Sequence, residues 1–127
     1  MLAVLSGCSQ RLPTLTVTFF DVGKGDCILL ECDGHAAMID AGFDNTANDI
    51  LSALADKGID TLDFLLLTHM DKDHVGGADK FLENLTIGAV YAPDYEKDAK
   101  QYQQYVDALA ASGMTAIHPA EPLTLSF

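Results

Sequence analysis

The sequence predicts an α/β (α+β) domain whose mixed sheet opens as an antiparallel meander, continues by β-α-β alternation and carries its helices on the outer side. Three observations predict it. Residues 15–40 form short alternating or apolar stretches divided by glycine-bearing turns. Two later segments, 47–58 and 102–113, space apolar side chains as a helix does and end on glycine. Between them, Phe64-Leu65-Leu66-Leu67 is a continuous apolar run that suits a strand buried on both faces.

From Leu15 to Phe20, Val17 and Phe19 alternate with Thr16 and Thr18, the pattern of a half-buried strand. Asp21-Val22-Gly23-Lys24-Gly25-Asp26 is a turn, Cys27 to Cys32 a second strand, Asp33-Gly34 a hairpin signal and His35 to Asp40 a third strand. Ala47, Ile50, Leu51, Leu54 and Ala55 mark a helix with Asn45 or Thr46 as N-cap and Gly58 as its stop. A short helix over Gly77 to Asn84 and a strand over Ile87 to Tyr91 follow. Tyr102, Tyr105, Val106 and Leu109 define a helix ending near Gly113, with Met114 to Ile117 strand-like beyond it. Leu123-Thr124-Leu125-Ser126-Phe127 alternates like a strand that has just begun, so the chain is expected to be a fragment.

Composition sets limits on function. The 127 residues carry 19 Asp plus Glu against 7 Lys plus Arg, a formal charge of -12 with histidines neutral, yet 49% are hydrophobic. The chain is too apolar for a disordered acidic tail, and its few cations exclude an unassisted basic groove for nucleic acid. A bound phosphate would need positive charge from another source. No apolar run approaches the ~18 residues of a membrane-spanning helix. Cys8, Cys27 and Cys32 are too few for a disulfide framework, and Cys27 and Cys32 point to opposite faces of one strand, as core thiols.

The N-terminus reads Met-Leu-Ala-Val-Leu-Ser-Gly-Cys and then Ser9, Gln10 and Arg11. Leu5-Ser6-Gly7-Cys8 resembles the lipobox of bacterial lipoproteins, without the basic region that usually precedes it. The expectation is a truncated signal over residues 1–8 with Cys8 lipidated, a linker over 9–14 and a domain over 15–127. Such a lipid anchor implies an extracytoplasmic protein tethered to the bacterial cell membrane. The alternative is an apolar N-terminal strand or leader.

Thr68-His69-Met70-Asp71-Lys72-Asp73-His74-Val75-Gly76-Gly77 follows directly on the buried run at 64–67. Ligands in open α/β sheets sit beyond the carboxyl ends of such strands. In an extended loop His69 and Asp71 point the same way and can share one metal, while Asp73 and His74 diverge toward a second. Gly76 and Gly77 allow close backbone approach at a helix start. Imidazole and carboxylate donors suit zinc and admit manganese or magnesium. Two such ions would activate a bridging water and provide the positive charge that the composition lacks. The plain alternatives are a solvated acidic loop or a calcium-like Asp-x-Asp turn; residues 21–26 read equally as a tight hairpin turn, and P-loop spacing is absent.

His69-x-Asp71-x-Asp73-His74, with Asp40 in Ile39-Asp40-Ala41-Gly42 upstream, resembles the metallo-β-lactamase superfamily, which usually shows His-x-His-x-Asp-His. Asp71 in place of the second histidine is a variant found among relatives of the DNA-uptake competence protein ComEC. Phe20-Asp21-Val22-Gly23-Lys24-Gly25-Asp26 is similar to that subgroup's Asp-Val-Gly-Gln-Gly-Asp signature, with Lys24 where Gln is usual. The resemblance covers about residues 15 to 127. It implies the N-terminal half of an αββα sandwich, with an apolar sheet face left open, and two divalent metal ions. His69 and Asp71 would ligate one ion, and Asp73 and His74 would contribute to the other. Asp73 would also orient the attacking water as the catalytic residue. Asp40 would support the loop from behind, and Asp26 and Lys24 would lie near an anionic substrate. The implied activity is metal-dependent hydrolysis of a phosphodiester or another ester, with a small-molecule ester, phosphoester or nucleic acid as substrate. A small-ester or lactone hydrolase, or a non-catalytic surface binding protein with a vestigial metal loop, are the alternatives. No protein partner is implied.

His35 and His118 do not sit where that superfamily puts a ligand; Tyr91, Tyr95, Tyr102 and Tyr105 could be taken for a base-stacking platform, but Tyr102 and Tyr105, at helical spacing, read more simply as core or helix surface.

Overall fold

All three α-helices of the computed structural model, which describes residues 12–126, join one apolar core against one side of a sheet. The elements in order are β1 (Thr16–Phe19), β2 (Ile28–Cys32), β3 (His35–Ile39), α1 (Ala47–Asp56), β4 (Thr61–Leu62), β5 (Leu65–Leu66), α2 (Ala78–Asn84), β6 (Thr86–Ile87), β7 (Val90–Tyr91) and α3 (Lys100–Ala111). The five-stranded sheet runs β1-β2-β3-β5-β7, and β4 with β6 makes a separate pair. β1, β2 and β3 are antiparallel neighbours, whereas β3, β5 and β7 are parallel. This is the mixed sheet of meander and β-α-β units expected, and it places the ends of β3 and β5 side by side. The expected lipidation site, Cys8, lies outside the described residues.

The hairpin at Asp33-Gly34 has both residues at positive φ, 52° and 85°, the geometry that matches strand twist. Register then sorts the side chains into two faces. Leu29, Met38, Leu65 and Val90 align across four strands, and all are fully buried. Ile50 and Leu54 of α1, Phe81 of α2 and Tyr105 of α3 share their core. Each such side chain contributes about 1.5–3 kcal/mol on burial. The other face carries Phe19, Ile28, Ile39, Leu66 and Tyr91 in one row.

That second face corrects one expectation: Val17 and Phe19 are not half-buried but 43% and 72% exposed, because no helix among the described residues covers their side of the sheet. The expected strand over 87–91 divides at Gly88, with β6 pairing β4 and β7 pairing β5. A Cβ at Gly88 would stand 2.7 Å from the Asp63 carbonyl oxygen, so the chain crosses closely there. Residues 114–117 give only a single bridge, Tyr91 to Ile117, and residues 123–126 contain no strand. Thr46 occupies the N-cap of α1 without capping it; its hydroxyl donates to the Phe43 carbonyl at 2.8 Å.

Candidate metal centre

The site lies where β3 and β5 end. Asp40 follows β3 in the left-handed region, φ 57°, which an aspartate tolerates better than most residues. This turn aims its carboxylate, 2% exposed, at the loop leaving β5. The two loops are joined by backbone bonds from Asp40 N–H to Leu66 O (2.8 Å) and from Ala41 N–H to His74 O (2.7 Å). The glycine-bearing turn at 21–26 packs against them. A Cβ at Gly25 would sit 1.9 Å from the Asp73 carbonyl oxygen, so only glycine permits this approach, and Asp26 N–H donates to that same oxygen at 3.3 Å. Residues 21–26 therefore do more than reverse the chain.

A hydrogen-bond relay starts at Asp40. Its Oδ1 accepts from Thr68 N–H at 2.7 Å, and its Oδ2 accepts from the Thr68 hydroxyl at 2.6 Å and from His74 Nδ1 at 2.9 Å. A carboxylate oxygen accepts, so His74 Nδ1 donates. Thr68 has one hydroxyl proton, which goes to Asp40. Its lone pair then accepts from His69 Nδ1 at 3.0 Å. Both imidazoles thus carry their proton on Nδ1 and leave Nε2 with a free lone pair. Their rings lie 3.7 Å apart between centroids.

Two groups of side chains among the described residues could hold a divalent ion: His69, Asp73 and His74, and Asp26, Asp40 and His74, each with donor atoms within 4.8 Å of one another. The first fits a divalent ion better. It offers nitrogen and carboxylate oxygen donors of the kind zinc takes, whereas in the second His74 Nδ1 is committed to Asp40.

The loop is not extended as the spacing argument assumed. It turns after Asp71, whose carbonyl accepts from both His74 N–H and Val75 N–H at 2.9 Å. The turn brings His69 to Asp73 and His74 and leaves Asp71 outside both groups, its Oδ2 3.8 Å from His69 Nε2. Asp71 Oδ1 instead pairs with Lys97. Asp26 comes within 3.8 Å of His74 Nδ1, while Lys24 is exposed on its turn.

Three contributors were not legible in the motif. Thr68 carries the relay, Tyr95 Oη accepts from Met70 N–H at 2.8 Å, and Lys97 meets Asp71. Apart from the conspicuous position of Thr68 beside the histidine, no local signal marks them. His35 pairs with Asp63 at 2.7 Å and His118 Nδ1 lies 2.9 Å from Ala92 O, neither of them in the two groups. Beside the site, burial and then the Asp40 carboxylate push the Cys27 thiol up to about 12, which keeps it protonated and inert.

A helix-backed mixed sheet with histidines and carboxylates beyond its parallel strands defines an α/β protein with a candidate metal site. Residues 20–124 match the family model of the metallo-beta-lactamase superfamily, and the chain belongs to that superfamily, whose members are generally metallo-hydrolases commonly using zinc. It is 30% identical over 79 residues to a hydroxyacylglutathione hydrolase of Aeromonas salmonicida, covering 62% of this chain and 30% of that protein. It is likewise 30% identical over 101 residues to recombination protein 2 of Haemophilus influenzae, covering 76% of this chain and 13% of that one. A solved metallo-beta-lactamase of Cronobacter sakazakii with a HARLDQ motif superposes with a TM-score of 0.53 at 23% identity, covering 66% of this chain and 34% of that one. The chain therefore spans about a third or less of the length of these relatives.

Proposed function

We propose that this chain supplies the metal-binding part of a hydrolase that cleaves a phosphodiester or another ester through an activated water. The observation that carries the reading is the Asp40–Thr68 relay, which leaves Nε2 of both His69 and His74 free on two residues that group with Asp73. His69, Asp73 and His74 would hold a divalent ion, zinc first and manganese or magnesium as substitutes, with Asp71 at the rim for a second. When bound, such ions supply Lewis-acid polarisation and water activation at neutral pH. Asp73 would orient that water. Asp40 holds the His74 ring, and Asp26 closes the side of the site next to His74 with Lys24 toward an anionic substrate. The positive charge missing from a chain of -12 enters with the metal.

A ComEC-like role on nucleic acid is supported by the turn at 21–26 packed on the metal loop and by the match to recombination protein 2. The match to a hydroxyacylglutathione hydrolase favours the second reading, hydrolysis of a small ester. Zinc titration followed by assays on a chromogenic phosphodiester and a chromogenic ester separates the two. Equal rates from wild type and a His69→Ala, His74→Ala double variant would sink the metal mechanism. Zinc binding with no turnover of either substrate, in this chain or a longer one carrying it, would leave the non-catalytic binding role. The proposal includes the lipid anchor at Cys8 and an extracytoplasmic location, which incorporation of labelled lipid into a chain with a complete leader checks; a Cys8→Ser chain labelled equally would refute it.

A further inference from the structure

Position 71, where the superfamily usually has histidine, carries an aspartate, and the structure gives that aspartate a cation from within the chain. Lys97 lies on the loop between β7 and α3, and its ammonium pairs with Asp71 Oδ1. The same loop is held two residues earlier by Tyr95 Oη, which accepts from Met70 N–H next to Asp71. Lys97 therefore sits on the metal loop by a two-point attachment. Asp71 faces His69 across 3.8 Å with its other oxygen, so the carboxylate lies between the candidate ion site and the lysine. With Lys97 in place, Asp71 stands outside both groups able to hold an ion.

We propose that Lys97 is a built-in competitor for the cation site at Asp71: the ammonium occupies the carboxylate without metal, and a divalent ion recruits Asp71 by displacing it. This rests on the reading that the loop binds metal. Both partners are well exposed, 39% for Lys97 and 49% for Asp71, so displacement is easy. The released ammonium remains at a cleft of about 260 Å³ lined by Asp71, Lys72, Asp73, Lys97 and Gln101. Competition lowers metal affinity, and its removal raises it.

The test is zinc affinity of the full 127-residue chain, measured by competition with a chromophoric chelator. Lys97→Gln should bind zinc about two- to five-fold more tightly than wild type, the range an exposed pair supports. Lys97→Arg, which keeps the charge, should bind like wild type. Asp71→Asn should bind less tightly, and adding Lys97→Gln to it should change nothing further. Lys72→Gln removes a lysine charge that makes no ion pair among the described residues and should leave affinity within experimental scatter. Unchanged or weaker binding by Lys97→Gln overturns the proposal, as does equal tightening in the Asp71→Asn background or by Lys72→Gln. Failure of wild type to bind zinc at all would instead remove the metal reading of the loop, and this proposal with it.

Discussion

Asp40→Asn tests the relay without disturbing the backbone. Asparagine is among the few residues that tolerate φ near 57°, so the turn after β3 is kept. The amide oxygen still accepts from Thr68 N–H, replacing the 2.7 Å bond to Oδ1. The amide nitrogen now faces the Thr68 hydroxyl and His74 Nδ1, where Oδ2 accepted at 2.6 and 2.9 Å. Both partners must become acceptors. The threonine oxygen can accept from the amide if its own proton turns away from both the amide and His69 Nδ1, but His74 can accept at Nδ1 only by moving its proton to Nε2, the atom needed by the metal. Loss of such a supporting carboxylate costs about 10–100-fold in metal affinity. Stability falls much less, by about 1 kcal/mol, since each hydrogen bond is re-formed with reversed polarity. Asp40→Ala behaves differently. His74 Nδ1 loses its partner in a buried position at about 1–3 kcal/mol, Thr68 N–H on an exposed residue loses less, and alanine at positive φ adds about 1–2 kcal/mol. Chelator competition gives the affinity and urea unfolding of the metal-free chain gives the stability. Wild-type zinc affinity in Asp40→Asn would refute the tautomer argument, and a metal-free stability loss as large as that of Asp40→Ala would show that Asp40 acts only as a structural acceptor.

Gly25→Ala forces a methyl to within 1.9 Å of the Asp73 carbonyl oxygen, so the turn at 21–26 must lift off the metal loop. The expected cost is about 1–3 kcal/mol in urea unfolding, together with weaker zinc binding; a change in neither would detach that turn from the site. Cys27 should resist thiol reagents in the folded chain and react only on unfolding, which mass spectrometry of labelled peptides reads directly. Its alkaline behaviour follows by linkage. The native thiol titrates near 12 against 9.0 for the ordinary value, so above pH 9 the unfolded chain gives up a proton that the native chain keeps. Stability should therefore fall as pH rises from 9 toward 12, by up to about 1.4 kcal/mol per unit, and Cys27→Ala should flatten that slope. Tyr105, pushed up from 10.0 to about 12 chiefly by burial, adds a loss of the same sign above pH 10 that the variant retains.

The parts of this molecule that could be read from its sequence are those encoded locally. Hairpin chemistry at Asp33-Gly34, helical spacing from Ala47 to Gly58 and the histidine-carboxylate string after the apolar run each sit within a few residues. Asp40 is distant from His74 in sequence and became legible only through the resemblance to the metallo-β-lactamase superfamily; in the structure, parallel β3 and β5 end together and bring the two into contact. What could not be read depends on contacts without a local signature. Lys97 meets Asp71 across 26 residues, and the spacing of His69 and Asp71 misled because the loop turns rather than extends. Val17 and Phe19 have a half-buried pattern, but alternation reports only that two faces differ, not that both are covered. The break at Gly88 follows from β4 drawing β6 into its own pair, a competition that propensity along residues 87–91 does not contain.

The bare side of the sheet gives the chain the character of a charged amphiphile. Phe19, Val17 and Ile117 lie on or beside a row of half-buried apolar residues, while the chain as a whole carries -12. Mutual repulsion should then oppose the contact of two such faces in dilute buffer. Screening shrinks from about 10 Å at 0.1 M salt to about 3 Å at 1 M, and salts such as sulfate strengthen apolar contact at the same time. Colloidal stability should accordingly be greatest at low ionic strength and neutral pH. It should collapse toward the isoelectric point near 4.3, where the repulsion vanishes but the greasy face does not.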